Sequence, residues 1–187
     1  MSAPPQLPGI FHTLTPLLDH YGYIAVGGFV LLEDLGVPVV PGESILIAAA
    51  VYAGAGRLNV VLVALVGFMA AVIGDNIGFA IGHFGGRELI LRWGKYLLLT
   101  PARMEKAERF FARNGGKVVV IARFIEGLRQ ANGIIAGISE MSWLRFLGYN
   151  ALGAALWVAL WTTAGYVAGG NINTLYPEVV RYEIYFV

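Results

Sequence analysis

The chain has no cysteine, which excludes disulfides, thiolate metal sites and cysteine nucleophiles. Charge is scarce too: Asp, Glu, Lys and Arg make up 13% of its 187 residues, where an ordinary soluble domain carries about 25%. With 57% hydrophobic residues and a mean hydropathy of +0.68, it lacks the polar surface to cover a water-soluble globule. These shortages leave an integral membrane protein forming a single domain over residues 1–187. Histidine is sparse as well. His12, His20 and His83 show no ligand spacing, so no metal and no other cofactor is expected. The opening MSAPPQLPG has no basic stretch and no cleavage site ahead of a short apolar core, so no removable signal peptide is expected.

The charge that is present lies unevenly. Eight of the thirteen basic residues fall between Arg87 and Lys117. The positive-inside rule therefore makes 85–117 a cytoplasmic insert of a multi-pass protein of the plasma (inner) membrane. Within it, Ala107, Phe110 and Phe111 alternate with charges, which predicts an amphipathic helix over 102–113, stopped by Gly115-Gly116. Such a helix suits the surface of an anionic bilayer. Glu88, Glu105 and Glu108 offset its basic residues, so nucleic acid is not an expected partner.

Two stretches put charge inside apolar surroundings. LLEDLGVPVVPGESILIAAA (Leu31 to Ala50) carries Glu33, Asp34 and Glu43; RFIEGLRQANGIIAG (Arg123 to Gly137) carries Arg123, Glu126 and Arg129. A charge at mid-bilayer costs about 2.5–3.5 kcal/mol even on the lenient insertion scale, so it survives only when paired or facing a polar cavity. Both stretches are also too short and too broken to cross. Gly36, Pro38, Pro41 and Gly42 interrupt the first, and Ser44 to Gly56 is only 13 residues, where a span needs about 20. In the second, five apolar residues (Val118 to Ala122) precede the charges, with Gly127, Gly133 and Gly137 as break points. Each predicts a re-entrant hairpin, because broken backbone at membrane depth is tolerated only against protein or a cavity.

The expected order is an irregular N-terminal segment 1–15, a first helix 16–32, hairpin 33–56 and a spanning helix 58–84. After the insert come a second hairpin 118–140, a second spanning helix 143–169 and a tail 170–187. The tail's apolar end is compatible with the start of a further helix. Gly67, Gly74, Gly78 and Gly82 offer the first span a small-residue seam for close packing. Trp143, Trp157, Trp161 and Tyr166 read as interface anchors of the second. Hairpin and span, repeated across a basic insert, read as an all-α inverted repeat of the kind transporters use.

At these residues the chain resembles the DedA family, also called the SNARE-associated or VTT-domain superfamily. The shared features are Glu33 followed by Pro41-Gly42-Glu43, GDNIGFAIGHFGGR (Gly74 to Arg87), and Arg123-Phe124 with Arg129 and Ala136-Gly137. Asn150, Gly153 and Trp157 also fit, and the likeness covers roughly residues 15–170. It implies movement of polyprenyl phosphate carriers, especially undecaprenyl phosphate, or of other phospholipids across the bilayer. It also implies that the acids matching Glu33 and Glu43 and the arginines matching Arg123 and Arg129 are needed. Family members commonly have proline where this chain has Glu126, so the break and local charge differ here.

Each constellation keeps two readings. In a continuous helix 123, 126 and 129 would share a broad face, giving either a self-neutralising Arg–Glu–Arg triad or a phosphate clamp. Guanidinium favours the clamp because it meets phosphate oxygens bidentately. Glu126 would then hold the arginines in the empty site. Glu33, Asp34 and Glu43 form either a solvated acidic loop or a set of proton-coupling gates, since burial and nearby arginine act oppositely on a carboxyl group. Asp75 and Asn76, late in the first span, suit a helix–helix contact or a supporting role in the site. The expected function is a transporter, not an enzyme, moving a lipid phosphate with proton coupling. Its expected partners are membrane lipids and polyprenyl phosphate, with a second copy of the chain (a homodimer) as a further candidate. A proton-coupled small-ion or drug antiporter using the same charges is the alternative. A lipid phosphatase is disfavoured, because no histidine lies in either charged hairpin.

Overall fold

The computed structural model describes residues 10–37, 39–93, 105–106, 109–110, 113–125 and 127–170. Those residues hold no strand, helical residues at 105–106, 109–110 and 113–114, and seven helices with defined bounds. They are α1 (Ile10–Tyr21), α2 (Tyr23–Asp34), α3 (Gly42–Gly54), α4 (Val60–Trp93), α5 (Lys117–Ala122), α6 (Leu128–Ile138) and α7 (Trp143–Gly170).

The first helix differs from the single 16–32 segment expected. Helix starts at Ile10 rather than after residue 15, because Ile10, Phe11, Leu14, Leu17 and Leu18 recur at helical spacing and Leu18 is buried in the core. The chain then breaks at Gly22, whose φ of 51° and ψ of −123° suit glycine and few other residues. The acidic turn that follows separates α2 from α3. Leu35 still donates to Leu31, Gly36 (φ 111°) ends the helical path, and Pro41 caps the start of α3. Hairpin 33–56 thus gains a longer first arm than expected, α2, which Glu33 and Asp34 terminate. In α3 Ile45, Leu46, Ala48, Ala49 and Ala50 are fully buried. A helix apolar all round is a buried one.

Among the described residues, two helices have the length and composition to cross a bilayer. An 18-residue stretch within Val60–Gly85 has a mean hydropathy of 2.2, and one within Trp143–Gly170 has 1.4. Asn59 starts α4, its Oδ1 accepting from the N–H groups of Val61 (2.9 Å) and Leu62 (3.3 Å). α4 runs to Trp93, past the expected boundary at 84, because no proline stops it before Pro101. The amphipathic helix expected over 102–113 falls largely outside the described residues, as do Pro38, Glu126 and the tail from 171.

Glycines decide which helices touch. α3 packs most extensively on α7, and α6 on α4. A Cβ on Gly133 would overlap the carbonyl oxygen of Asp75; on Gly137, that of Phe79; and on Gly82, that of Ile134. At the other crossing, a Cβ on Gly165 would lie 2.7 Å from that of Ala50, and Gly54 and Gly169 meet backbone directly. This is the small-residue packing that brings membrane helices together. Gly74 belongs to the seam as expected but faces α2, where a Cβ would sit 2.7 Å from Leu31 O.

Two apolar cores result. One joins Val26, Val30, Ile45, Leu46 and Trp157; the other joins Phe79, Val118, Ile134, Ile135 and Phe146. The end of α2 comes from the first and the end of α5 from the second. The charged residues sit where those ends meet.

Candidate functional site: a buried carboxylate–arginine chain facing a cavity

Short elements present the charges. Glu33 and Asp34 end α2, Glu43 is the second residue of α3, Arg123 caps the end of α5 and Arg129 is the second residue of α6. Arg123 and Arg129 are therefore not on one continuous helix. Gly127 (φ 81°) turns the chain between them, and Gln130 Oε1 accepts the Gly127 N–H at 2.7 Å to start α6. The turn aims both guanidinium groups at acids remote in sequence.

Arg123 is 1% exposed. It donates to Asp75 Oδ2 on α4, to Asn150 Oδ1 on α7 at 3.2 Å and to Asp34 Oδ2 at 3.3 Å. Arg129, 4% exposed, donates to Glu33 Oε1 at 2.7 Å and stands 3.7 Å from Asp34 Oδ1 and 3.6 Å from Glu43 Oε2. The result is an alternating chain, Asp75–Arg123–Asp34–Arg129–Glu33, with Glu43 at its outer end. Glu33 also reaches back along its own hairpin, Oε2 accepting the Glu43 N–H at 2.8 Å. Trp157 lies beneath both cations, its ring centre 5.0 Å from the Arg129 guanidinium carbon and 6.0 Å from that of Arg123.

Four carboxylates surround two guanidiniums, and several of their atoms lack hydrogen bonds. Asp34 Oδ1, Asp75 Oδ1, Arg123 Nε and Arg129 Nη1 are buried without such a partner among the described residues. Buried charge is costly to leave uncompensated, so the cluster holds together only as a set.

A cavity of about 380 Å³ opens onto the chain's outer end. Its floor is Glu33, Glu43, Arg123 and Arg129, and Trp157 and Trp161 form one wall. Val39, Val40 and Pro41 of one hairpin tip, Ser44 of α3 and Phe124 of the other tip complete the lining. Val39 is 88% exposed and Phe124 48%, so the mouth is apolar where the floor is charged.

Glu33, Asp34, Glu43, Arg123 and Arg129 are thus brought together, and Asp75 joins them. Asn76 does not. Its Nδ2 donates to Val72 O at 2.7 Å and its Oδ1 accepts from Trp143 Nε1 at 2.8 Å, a helix–helix contact between α4 and α7. Glu126 lies outside the described residues. Trp157 and Trp161 are wall residues of the cavity rather than interface anchors, because the face of α7 that carries them turns inward. Asn150 was legible only through the family likeness. Trp161 had no signal of its own.

In sequence, the chain is similar to known proteins over most of its length. The VTT domain matches residues 40–167. Protein DedA of Escherichia coli strain K12 is 32% identical over 163 residues, covering 83% of this chain and 74% of its own length. The chain belongs to the DedA family. Other relatives include an uncharacterized membrane protein of Synechocystis sp., 35% identical over 157 residues (84% of this chain, 72% of that one). An uncharacterized membrane protein of Bacillus subtilis strain 168 is 31% identical over 153 residues, covering 82% of this chain and 94% of its own. No solved structure matches significantly. As a DedA-family member with two helices of spanning length, the protein is a membrane protein.

Proposed function

We propose that this protein is a transporter that carries a lipid phosphate, undecaprenyl phosphate or a related phospholipid, across the plasma membrane with proton coupling. The observation that carries this reading is the amphiphilic cavity. Two arginines lie in its floor, and Val39, Val40 and Phe124 stand at its mouth. A phosphate head suits the floor and a hydrocarbon chain suits the mouth, whereas a small hydrated ion has no use for the apolar rim. Guanidinium supplies paired donors to phosphate oxygens.

The half-crossing geometry fits the same reading. α2 and α3, 12 and 13 residues long, span roughly 18–20 Å at about 1.5 Å per residue, against a hydrocarbon layer of about 30 Å. α5 and α6 are shorter still, at 6 and 11 residues. On this reading the hairpins are re-entrant and enter from opposite faces, α5–α6 from the basic, cytoplasmic one. Each hairpin's second arm crosses the long helix of the other half, α3 on α7 and α6 on α4, the exchange expected of an inverted repeat.

Proton coupling rests on the charge count. With Glu33, Asp34, Glu43 and Asp75 all ionised, the site has an excess of two negative charges over Arg123 and Arg129 and repels phosphate. Protonating acids frees the arginines. The same excess of carboxylates is what favours the alternative, a proton-coupled small-ion or drug antiporter. A phosphatase lacks support, since neither His20 nor His83 lines the cavity.

The test is reconstitution in liposomes with a leaflet-specific readout of undecaprenyl phosphate, with and without a pH gradient. Gradient-stimulated transport is expected from the wild type. Arg123→Lys and Arg129→Lys should lose most of it, because charge remains but the planar fork does not. Glu43→Gln should lose the stimulation by the gradient. Wild-type transport in both lysine variants excludes bidentate phosphate binding, and gradient-driven uptake surviving in Glu43→Gln removes its coupling role.

A further inference from the structure

Glu33 makes two contacts of a kind that a bound phosphate would need. One carboxylate oxygen accepts from Arg129 Nη2 at 2.7 Å, and the other accepts the backbone N–H of Glu43 at 2.8 Å. That N–H belongs to the first turn of α3, a 13-residue helix whose start lies at the cavity, with Pro41, Glu43 and Ser44 all in the lining. Exposed N–H groups and the positive end of the helix dipole make such a turn receptive to an anion. Arg129 is 4% exposed and lines the same cavity, and its Nη1, 3.7 Å from Asp34 Oδ1, makes no hydrogen bond among the described residues. The indole N–H of Trp161, another lining residue, is likewise buried without an acceptor. Donors from α3 and α6 thus converge on a single place, the anion there is a side chain of the protein itself, and α7 brings an unoccupied N–H to the same cavity.

We infer that Glu33 is an internal surrogate for the ligand: its carboxylate fills an oxyanion seat made by Arg129 and the Glu43 N–H, and the phosphate head must displace it to bind, with the unoccupied Trp161 N–H of the same cavity as a further donor. This rests on the lipid-phosphate reading but goes beyond it, because it assigns the seat's donors and makes the empty state a self-occupied one. The geometry supports displacement rather than joint occupancy. Glu33 is 5% exposed and sits against Gly42, where an added Cβ would come within 2.6 Å of Glu33 Oε2. No room is left for a second anion on the same donors. Glu43, whose side chain is 35% exposed, borders the seat without filling it.

The experiment is equilibrium binding of a short-chain prenyl monophosphate to the full-length protein in detergent, with the corresponding prenyl alcohol as control. Glu33→Gln keeps the shape but surrenders the charge, so it should bind the monophosphate roughly tenfold more tightly than wild type. Glu33→Asp, one methylene shorter, should fall between the two and guards against a fold defect peculiar to the glutamine variant. Adding Arg129→Lys to Glu33→Gln should cancel the gain, and Trp161→Phe should weaken binding of the phosphate but not of the alcohol. Equal or weaker binding by Glu33→Gln, with Arg129→Lys still harmful, overturns the surrogate role and leaves the lipid-phosphate reading intact. Binding that does not distinguish phosphate from alcohol in any variant overturns both.

Discussion

Arg123 is walled in by Asp75, Asp34 and Asn150 with its side chain wholly buried, while Arg129 faces the cavity between Glu33 and half-exposed Glu43. Equal charges therefore answer to different surroundings. Removing one partner of a buried pair costs about 3–5 kcal/mol, because a charge is left in a medium that cannot solvate it. Asp75→Ala leaves Arg123 with Asp34 and Asn150, so its cost falls near the bottom of that range. Arg123→Ala strands Asp75 and leaves Asp34 only its longer contact with Arg129, so it costs more. The double variant should be about 2 kcal/mol less destabilised than the sum of the singles, as read from thermal unfolding in detergent. Strict additivity contradicts the Asp75–Arg123 pairing. Sequence alone did not separate Asp75 from Asn76. Adjacent residues of a helix point about 100° apart, so one reaches Arg123 and the other Trp143, but the facing partners are 48 and 67 residues away.

At the scale of helices, the crossings rest on missing side chains. Gly133→Ala puts a methyl group into the backbone of Asp75 and forces α6 away from α4. Overpacking of this kind costs about 1–3 kcal/mol, and here it also shifts the element that carries Arg129. Gly148→Ala in α7 is the matched control, since nothing lies within 4 Å of the added atom. It should be neutral, or stabilising by about 0.4–1 kcal/mol through the loss of unfolded-state freedom. Equal losses in both variants contradict the close crossing. The run lengths, Pro38, Pro41 and Gly127 made both breaks readable in advance, and they fix α3, α5, α6 and α7 to within a few residues. The break at Gly22 was not readable. A lone glycine within an apolar run looks the same whether the helix continues or turns, and only packing against α3 decides. Trp157, singled out by the family likeness, was still read as an interface anchor for a related reason: a tryptophan in a spanning segment gives no sign of whether its face meets lipid or arginine.

For the molecule as a whole, the account requires that a wet cavity between two hairpin tips accept a phosphate head while the rest of α3 stays sealed. The absence of cysteine makes this directly measurable, since any introduced thiol is the only one. Ser44 lines the cavity one residue beyond Glu43, whereas Ala48, a turn further along α3, is fully buried. The decisive measurement is labelling of Ser44→Cys and Ala48→Cys by a charged, membrane-impermeant thiol reagent in liposomes, with and without a short-chain prenyl monophosphate. The account predicts that Cys at 44 reacts, that the monophosphate protects it while the matching alcohol does not, and that Cys at 48 stays silent. An unreactive thiol at 44, or one that phosphate and alcohol leave equally exposed, contradicts it.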